Sequence, residues 1–174
     1  MSWWLWLLLG IVLLFGFVVL RGAPYVPTKR RLLDKAFDEL YPLGKKDVLV
    51  DIGCGDGVVL RAAAARGARA IGYELNPLLV LIASLASRHP LISVYLADFW
   101  RTELPRDTTI IYTFGESRDI ARMYAVAERL ALTVQRPIYF MSFGFSVPGK
   151  QEVGYDGSFY LYKVAPASLQ KIKA

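Results

Sequence analysis

The sequence predicts an α/β fold with a mostly parallel sheet. Its central part contains Val48–Gly57, which reads VLVDIGCGDG and passes from an apolar segment into a glycine-rich turn. An alanine-rich segment with helical character follows at Val58–Arg66, and a second apolar segment, Ala70–Tyr73, ends at Glu74. Since strand, turn, helix and strand follow in this order, the unit is predicted to be a β–α–β crossover, which makes its two strands parallel.

The turn in this unit is suited to holding a ligand. Gly53, Gly55 and Gly57 alternate through it, and glycine allows a sharp turn and a close approach of the backbone because it lacks a Cβ atom. The helix that follows begins with free backbone N–H groups. A ligand-free α/β turn is the alternative interpretation of these glycines.

The spacing of the glycines indicates which nucleotide the turn accepts. A dinucleotide-binding turn has the pattern G-x-G-x-x-G, whereas here Val58 occupies the last glycine position. Asp51 adds a carboxylate that is unfavourable beside a pyrophosphate but favourable beside a ligand carrying an ammonium and a sulfonium group. Glu74 ends the second strand, where an acidic residue can accept hydrogen bonds from both hydroxyls of a ribose.

These residues resemble motif I of the class I S-adenosylmethionine (SAM) methyltransferases. The resemblance implies a Rossmann-like sheet with SAM as the cofactor, and methyl transfer from SAM demands no metal. It also implies cofactor-binding roles for residues in and after the first three strands, namely Asp51, Gly53, Gly55, Gly57, Glu74, Leu75, Asn76, Asp98 and Phe99. For Asp98 the implied role is a hydrogen bond to the adenine amino group, and a turn or helix cap is the alternative.

The N-terminal segment is expected to be a transmembrane anchor. Ser2–Leu20 contains no charged residue, and its length suits a helix across a bilayer core. Trp3, Trp4 and Trp6 lie at one end, as aromatic residues do at a membrane interface. A secretory signal peptide would begin with a basic region and end at a small-residue cleavage site, and this segment has neither. A cleaved signal is the alternative interpretation.

Basic residues follow this apolar segment. Arg21 closes it, and three consecutive cations come at positions 29–31. By the positive-inside rule, this arrangement places the catalytic domain in the cytoplasm. We therefore expect a single-pass membrane protein made of a transmembrane anchor, a proline-containing link and a methyltransferase domain, at residues 1–21, 22–28 and 29–174 respectively.

The overall charge and the cysteine content agree with this placement. The net charge is +6, and a basic surface beside a membrane favours anionic lipid head groups. The sequence has no dense stripe of Lys and Arg interleaved with aromatic residues, so a nucleic-acid partner is not expected. The one cysteine, Cys54, permits no internal disulfide, which fits a reducing compartment.

The link and the motifs after it narrow the resemblance. Thr28 can cap a helix that is predicted to run to about Tyr41. A proline–aromatic–valine–proline–hydroxyl link, followed by DIGCGDG, GYELNP and ADFW, is similar to a small family of membrane-anchored protein-lysine methyltransferases. Its members include mitochondrial inner-membrane enzymes and archaeal relatives, and the similarity covers most of Pro24–Trp100.

The remaining elements continue the alternation. Asn76 can cap a helix that has Pro77 in its first position and runs to about Arg88. This helix is apolar on most faces and is therefore expected to be buried between the sheet and covering elements. Residues 144–157 are rich in turns, so the helix that usually follows the fifth strand is expected to be missing. The other elements are predicted strands at Leu91–Leu96, Thr108–Phe114, Pro137–Phe143 and Ser158–Val164, the last antiparallel, and a helix at Ser117–Leu132.

The end of the fourth strand is expected to hold the methyl acceptor, because ligands of open α/β sheets bind where the strand order reverses. Phe114 and Gly115 follow this strand and would form a substrate channel together with Thr28. Glu116 could attract a lysine or take its proton through water, and capping of the next helix is an equal alternative. Tyr25 could fold over the channel from the link.

The acceptor is expected to be a lysine side chain of a membrane-associated protein. A lysine ammonium has an ordinary pKa of about 10.4 and must lose a proton before attack. A partly desolvated channel beside a sulfonium would lower that pKa. Residues 113–116 lack the Asn/Asp-Pro-Pro-aromatic motif common in enzymes that methylate nucleic-acid bases or glutamine. Two other functions stay open: methylation of a lipid or quinone at the membrane surface, and SAM binding without catalysis.

Overall fold

The structure, a computed structural model, describes residues 3–10, 12, 29–115 and 117–166. Residues 3–10 and 12 are helical. Within these described ranges, no helix is both long enough and apolar enough to cross a membrane. Most of the predicted anchor lies outside the described residues, as do Tyr25, Thr28 and Glu116, so the predictions for them are untested.

A single seven-stranded sheet organises the domain, with strand order β3-β2-β1-β4-β5-β7-β6. Strands β3, β2, β1, β4 and β5 are parallel to their neighbours, whereas β7 runs antiparallel to both β5 and β6. The prediction of a mostly parallel sheet with an antiparallel C-terminal strand is therefore confirmed. The strands are β1 (Val48–Ile52), β2 (Arg69–Glu74), β3 (Ile92–Leu96), β4 (Ile110–Thr113), β5 (Ile138–Phe143), β6 (Gly154–Tyr155) and β7 (Phe159–Val164).

The helices lie in two layers on the sheet. The first layer contains α1, which continues as a π-helical turn, Ala36–Leu40, together with α2 and α3. The second layer contains α4 and a short 3₁₀ helix, Phe99–Arg101. The α-helices are α1 (Arg30–Lys35), α2 (Val58–Ala64), α3 (Pro77–Ala86) and α4 (Ile120–Val134).

Each face of the sheet has its own hydrophobic core. Leu49 and Ile110 point to the first layer and pack with Phe37 and Leu60. Val50 points the other way, into the core that α4 covers. Because both faces are covered, all five residues of β1 are buried, as is usual for a central strand of a parallel sheet.

The second strand from the C-terminus, β6, was not predicted from the sequence. It has only two residues, which is too few for an alternating pattern to appear. Gly154 pairs with Leu161 of β7, and a Cβ atom on Gly154 would lie 2.7 Å from Leu40 Cδ1. No helix lies between β5 and β6, a stretch that the structure describes throughout, in agreement with the prediction.

The expectation that α3 is buried was wrong. Only Ala83 of this helix is fully buried, where it lies against the start of α2 near Gly57. The outward side remains exposed because α3 contacts β3, the edge strand, and no further helix of the described chain packs over it. The exposed side chains are Leu78, Leu81, Ile82 and Leu85.

Candidate active site

The predicted cofactor residues meet at the carboxyl ends of the parallel strands. Strand β1 lies between β2 and β4, so the strand order reverses beside it. A crevice at such a position is where open α/β sheets bind their ligands. Asp51 lies near the end of β1, Glu74 ends β2, and Asp98 follows β3. The topology thus brings the three predicted acidic residues to one edge of the sheet.

The glycine turn has the backbone conformation that its sequence predicts. Gly53, Gly55 and Gly57 have φ angles of 79°, 54° and 81°, a region that residues with a Cβ atom rarely occupy. The N–H groups of Gly53 and Cys54 both donate to the carbonyl oxygen of Tyr73, at 2.9 and 3.1 Å, which fixes the turn against β2. A Cβ atom on Gly53 would meet no heavy atom within 4 Å, so the space in front of this backbone is open.

Gly72 is a structural determinant of the site that was not predicted from the sequence. A Cβ atom at this position would lie 2.6 Å from Cys54 Sγ and 2.7 Å from Leu60 Cδ1. Strand β2 can therefore approach the turn and α2 only because residue 72 has no side chain. A glycine inside an apolar strand is the signal that could have revealed this close approach.

Cys54 fills the space beside Gly72 and is buried. Burial, and secondly the charges of Asp51 and Glu74, raise the pKa of its thiol. A thiol whose pKa is raised carries little thiolate at neutral pH and is a poor nucleophile. Cys54 therefore contributes packing to the turn.

Glu74 is held in place by three backbone donors. Its Oε2 accepts a hydrogen bond from Gly55 N at 3.0 Å, and its Oε1 accepts from Leu75 N and Asn76 N, both at 2.8 Å. A carboxylate oxygen has about two lone-pair sites, so Oε2 keeps the capacity to accept a further hydrogen bond. The structure thus fixes the orientation of the carboxylate that is predicted to bind a ribose.

Asp51 is a buried carboxyl group with an unsatisfied oxygen. The residue is 1% exposed, and its Oδ2 has no hydrogen-bond partner in the described structure. Burial, followed by the negative charges of Glu74 and Asp56, raises the pKa of this carboxyl well above its ordinary value. Because a buried polar atom without a partner is costly, this position favours a ligand that brings a hydrogen-bond donor or a positive charge.

These features fit SAM. Asp51 offers an unpartnered buried oxygen for a cationic group, and Glu74 offers a fixed acceptor for hydroxyls. The open space at Gly53 leaves the backbone accessible to a ligand. The residues present therefore fit a ligand that combines an ammonium group with a ribose.

Asp98 acts as a cap, which is the alternative that the sequence left open. Its Oδ1 accepts from Trp100 N at 3.0 Å and so caps the 3₁₀ helix, while its Oδ2 lies 3.8 Å from Arg101 Nε. The contact with adenine remains a prediction. Phe99 is partly buried, and its ring centroid lies 4.2 Å from that of Trp100.

Leu75 and Asn76 have structural contacts beside their predicted cofactor roles. Both donate their backbone N–H groups to Glu74. The side-chain oxygen of Asn76 accepts from Leu78 N at 2.9 Å and caps α3, with Pro77 in the first helical position, as predicted. Their contribution to cofactor binding is untested.

A cleft of about 450 Å³ lies beside the ends of β2 and β3. Tyr73 and Tyr95 line it, and their rings are stacked with centroids 5.8 Å apart. Ala97 and Thr102 also line it, and the hydroxyl of Thr102 donates to the carbonyl oxygen of Asp98 at 2.9 Å. The cleft therefore adjoins the segment predicted to bind adenine, and its volume is within the usual range of small-molecule sites.

The end of β4 has an aromatic wall. Phe114 lies against Phe143, with ring centroids 4.9 Å apart. Gly115 is buried, and a Cβ atom there would lie 2.7 Å from Met123 Sδ, so α4 packs directly on this backbone. Phe114 and Gly115 thus lie where the substrate channel was predicted, whereas its other predicted members, Thr28, Tyr25 and Glu116, are outside the described residues.

Metal ligands are not clustered here. Among the residues that the structure describes, no group of three or more His, Cys, Asp or Glu side chains could hold a metal ion.

Comparison with known proteins supports the predicted resemblance. No protein-family model matches the chain. The chain is 30% identical over 110 residues to an ATP synthase lysine N-methyltransferase of Homo sapiens, a match that covers 61% of this chain and 46% of that protein. It is 36% identical over 86 residues to the adenine nucleotide translocase lysine N-methyltransferase of Mus musculus, covering 47% of this chain and 37% of that protein. The chain thus spans less than half the length of these two curated relatives.

The fold also has counterparts among solved structures. An RNA methyltransferase from Salinibacter ruber, in complex with S-adenosyl-L-homocysteine, superposes with a TM-score of 0.70 at 22% identity, covering 80% of this chain and 94% of that one. At this level of identity the likeness concerns the fold, which is that of a class I methyltransferase. The similarity to protein-lysine methyltransferases that the sequence motifs indicate is confirmed by the relatives.

Proposed function

We propose that this protein is a SAM-dependent N-methyltransferase that methylates lysine side chains of proteins. The observation that carries the proposal is the unpartnered, buried Oδ2 of Asp51 beside the fixed carboxylate of Glu74 and the open turn at Gly53. The comparisons agree with SAM as the cofactor and with a protein-lysine acceptor. The human and mouse relatives are both lysine N-methyltransferases.

The described residues account for cofactor binding. SAM, when bound, supplies a methyl group activated by a positive sulfonium. Asp51 would hold the ammonium of SAM and Glu74 its ribose. The backbone of the turn would lie close to the ligand because Gly53 has no Cβ atom. Since methyl transfer is a direct displacement, these residues contribute mainly by positioning the reacting groups.

The end of β4 would receive the acceptor lysine. Phe114 and Phe143 present an aromatic surface there, and a lysine that leaves water loses part of its preference for the charged form. The lysine would therefore be deprotonated more readily than in water. We assign the attraction or deprotonation of the lysine to Glu116, and the closure of the channel to Tyr25 and Thr28, from the sequence alone.

The protein is further proposed to work at a membrane, on a membrane-associated protein. Ser2–Leu20 has no charged residue and is followed by a basic segment, which favours a single-pass anchor with the catalytic domain in the cytoplasm. In the described part of this segment, Trp3 is 78% and Trp6 is 60% exposed, so their rings are available to a membrane interface. A tether of this kind would raise the concentration of membrane proteins at the active site.

Transfer of a labelled methyl group tests this function. The purified full chain is incubated with methyl-labelled SAM and an unmodified membrane fraction, and the product is separated into protein and lipid. The proposal predicts label in protein. Label in the lipid fraction would favour a lipid or quinone methyltransferase instead, and absence of transfer despite SAM binding would favour a binding protein without catalysis.

A further inference from the structure

Helix α3 has an exposed stripe of large apolar side chains. Leu78, Leu81, Ile82 and Leu85 are spaced by three, one and three residues, which places them on one side of the helix. Their exposed fractions are 43%, 55%, 42% and 53%. The stripe therefore runs for about two turns of helix, or about 10 Å, along the outside of the first helical layer.

The surroundings of the stripe contain no charge along the helix itself. Residues 75–87 read LNPLLVLIASLAS, and the first charged residue after them is the exposed Arg88. A surface helix of a soluble domain normally carries charged residues on its outer face. A continuous exposed apolar face that lacks them marks a contact with a partner or a membrane.

The rest of the chain indicates which of these covers the stripe. The apolar, charge-free segment ends at Leu20, and nine residues lead from there to Lys29, the first described residue of the domain. Even fully extended, these residues span only about 30 Å. The domain is thus held beside whatever surface receives Ser2–Leu20, and an apolar face on the domain meets that surface at high effective concentration.

We propose that α3 is a second membrane contact, lying in the bilayer interface with Leu78, Leu81, Ile82 and Leu85 inserted. Short apolar helical faces bind this interface in the plane of the membrane. Arg88, just beyond the end of α3, is positioned to meet anionic lipid head groups. The proposal shares the membrane tether with the proposed function but does not require methyl transfer.

This contact would orient the active site as well as hold it. The cap of α3 is Asn76, two residues after Glu74, so the helix begins directly at the predicted ribose site. A domain held by its N-terminal link alone can rotate, whereas a domain held at α3 as well has a fixed tilt. The carboxyl edge of the sheet would then face membrane-associated substrates at a constant height.

Fluorescence at single positions tests the contact. The full chain carrying Ile82→Cys is labelled with an environment-sensitive dye and reconstituted with vesicles of phosphatidylcholine and phosphatidylglycerol. Leu132→Cys is the matched control, since Leu132 is also a large apolar side chain, 45% exposed, but lies on α4 in the opposite layer. The wild-type chain, whose Cys54 is buried, gives the background of labelling.

The expected result is a blue shift at position 82 and at least about twofold quenching by lipids that carry a spin label in the acyl chain, with position 132 unaffected. Equal quenching at both positions, or no quenching at 82 on chains that float with the vesicles, would overturn the contact. So would a shift at 82 that requires no vesicles and grows with protein concentration, because it would assign the stripe to a second copy. Chains that do not float at all would overturn the contact and the anchor together. Label transfer to protein is measured separately and would stand or fall by itself.

Discussion

The carboxylate of Glu74 and the backbone N–H of Gly55 are joined by a hydrogen bond of 3.0 Å, which links the end of β2 to the glycine turn after β1. The second carboxylate oxygen accepts from Leu75 N and Asn76 N. The acceptor for the ribose is therefore oriented before the cofactor arrives, and such preorganisation reduces the entropy lost on binding.

Replacing this carboxylate by an amide should weaken both the site and the fold. In Glu74→Gln, an NH₂ group would face at least one of the three backbone donors, and a buried unsatisfied donor costs about 1–3 kcal/mol. We expect SAM affinity to fall about ten- to hundredfold by calorimetric titration, together with a lower free energy of unfolding. Glu103→Gln, at an exposed carboxyl, is the control. SAM affinity equal to that of the wild type would remove Glu74 from the site.

Asp51→Asn should stabilise the SAM-free protein at neutral pH. The pKa of Asp51 is raised in the folded state, mainly by burial, whereas in the unfolded chain it is about 3.9. As pH rises above the unfolded value, the unfolded state ionises first, so the folded state loses stability until its own pKa is passed. An amide does not titrate, so Asp51→Asn should unfold at a higher temperature than the wild type at pH 7, and the difference should vanish at low pH.

The same substitution should weaken SAM binding. Loss of the negative charge that faces the ammonium should reduce affinity at least about tenfold. In the wild type, binding of a cation should displace the proton of Asp51, so affinity should increase with pH through the range where this carboxyl titrates. Calorimetry in buffers of different ionisation enthalpy would detect this proton release in the wild type and none in Asp51→Asn. Identical proton release in both proteins would contradict the assignment.

Gly72→Ala tests the close approach of β2 to the turn. The added methyl group would lie within 2.8 Å of Cys54 and Leu60 atoms in the core, and such overpacking costs about 1–3 kcal/mol. We expect a loss of this size in urea unfolding and weaker SAM binding, because the turn must shift. Gly44→Ala is the matched control, since a Cβ atom on Gly44 meets nothing within 4 Å. Equal stability of the two variants would show that the turn has room to adjust.

Asp98→Ser separates the two roles of Asp98. Serine is as good a helix cap as aspartate, so the 3₁₀ helix and the stability of the domain should be retained. A serine hydroxyl is shorter and uncharged, so a hydrogen bond to the adenine amino group should weaken and SAM affinity should fall about tenfold. Unchanged affinity measured by titration would leave Asp98 with the capping role alone.

Most of the fold could be predicted from the sequence because the signals of its central part are local. The alternation of apolar strands and helices, the glycines at 53, 55 and 57, and the Asn76–Pro77 helix start depend on short-range geometry. Strand β6 and the contact at Gly72 depend on residues distant in sequence, Leu161 and Leu40 for the strand and Leu60 for the glycine. The apolar character of α3 was a correct observation, but composition cannot say whether another element covers a helix. In this domain the outer side of α3 is exposed.

The cofactor site was predictable to a similar degree. The convergence of Asp51, Glu74 and Asp98 at one edge follows from parallel strands. The fixed orientation of Glu74 and the unpartnered oxygen of Asp51 depend on backbone groups and burial that no pattern of residue types reveals.

The chemical identity of the methylated product tests the central claim most directly. Protein labelled by the full chain with methyl-labelled SAM is hydrolysed to amino acids, and the labelled species is identified by mass spectrometry, with Asp51→Asn at equal concentration as the comparison. We predict label in Nε-methylated lysine, formed by the wild type and much more slowly by Asp51→Asn at limiting SAM. Label in another amino acid, or an equal rate with both enzymes, would contradict this function.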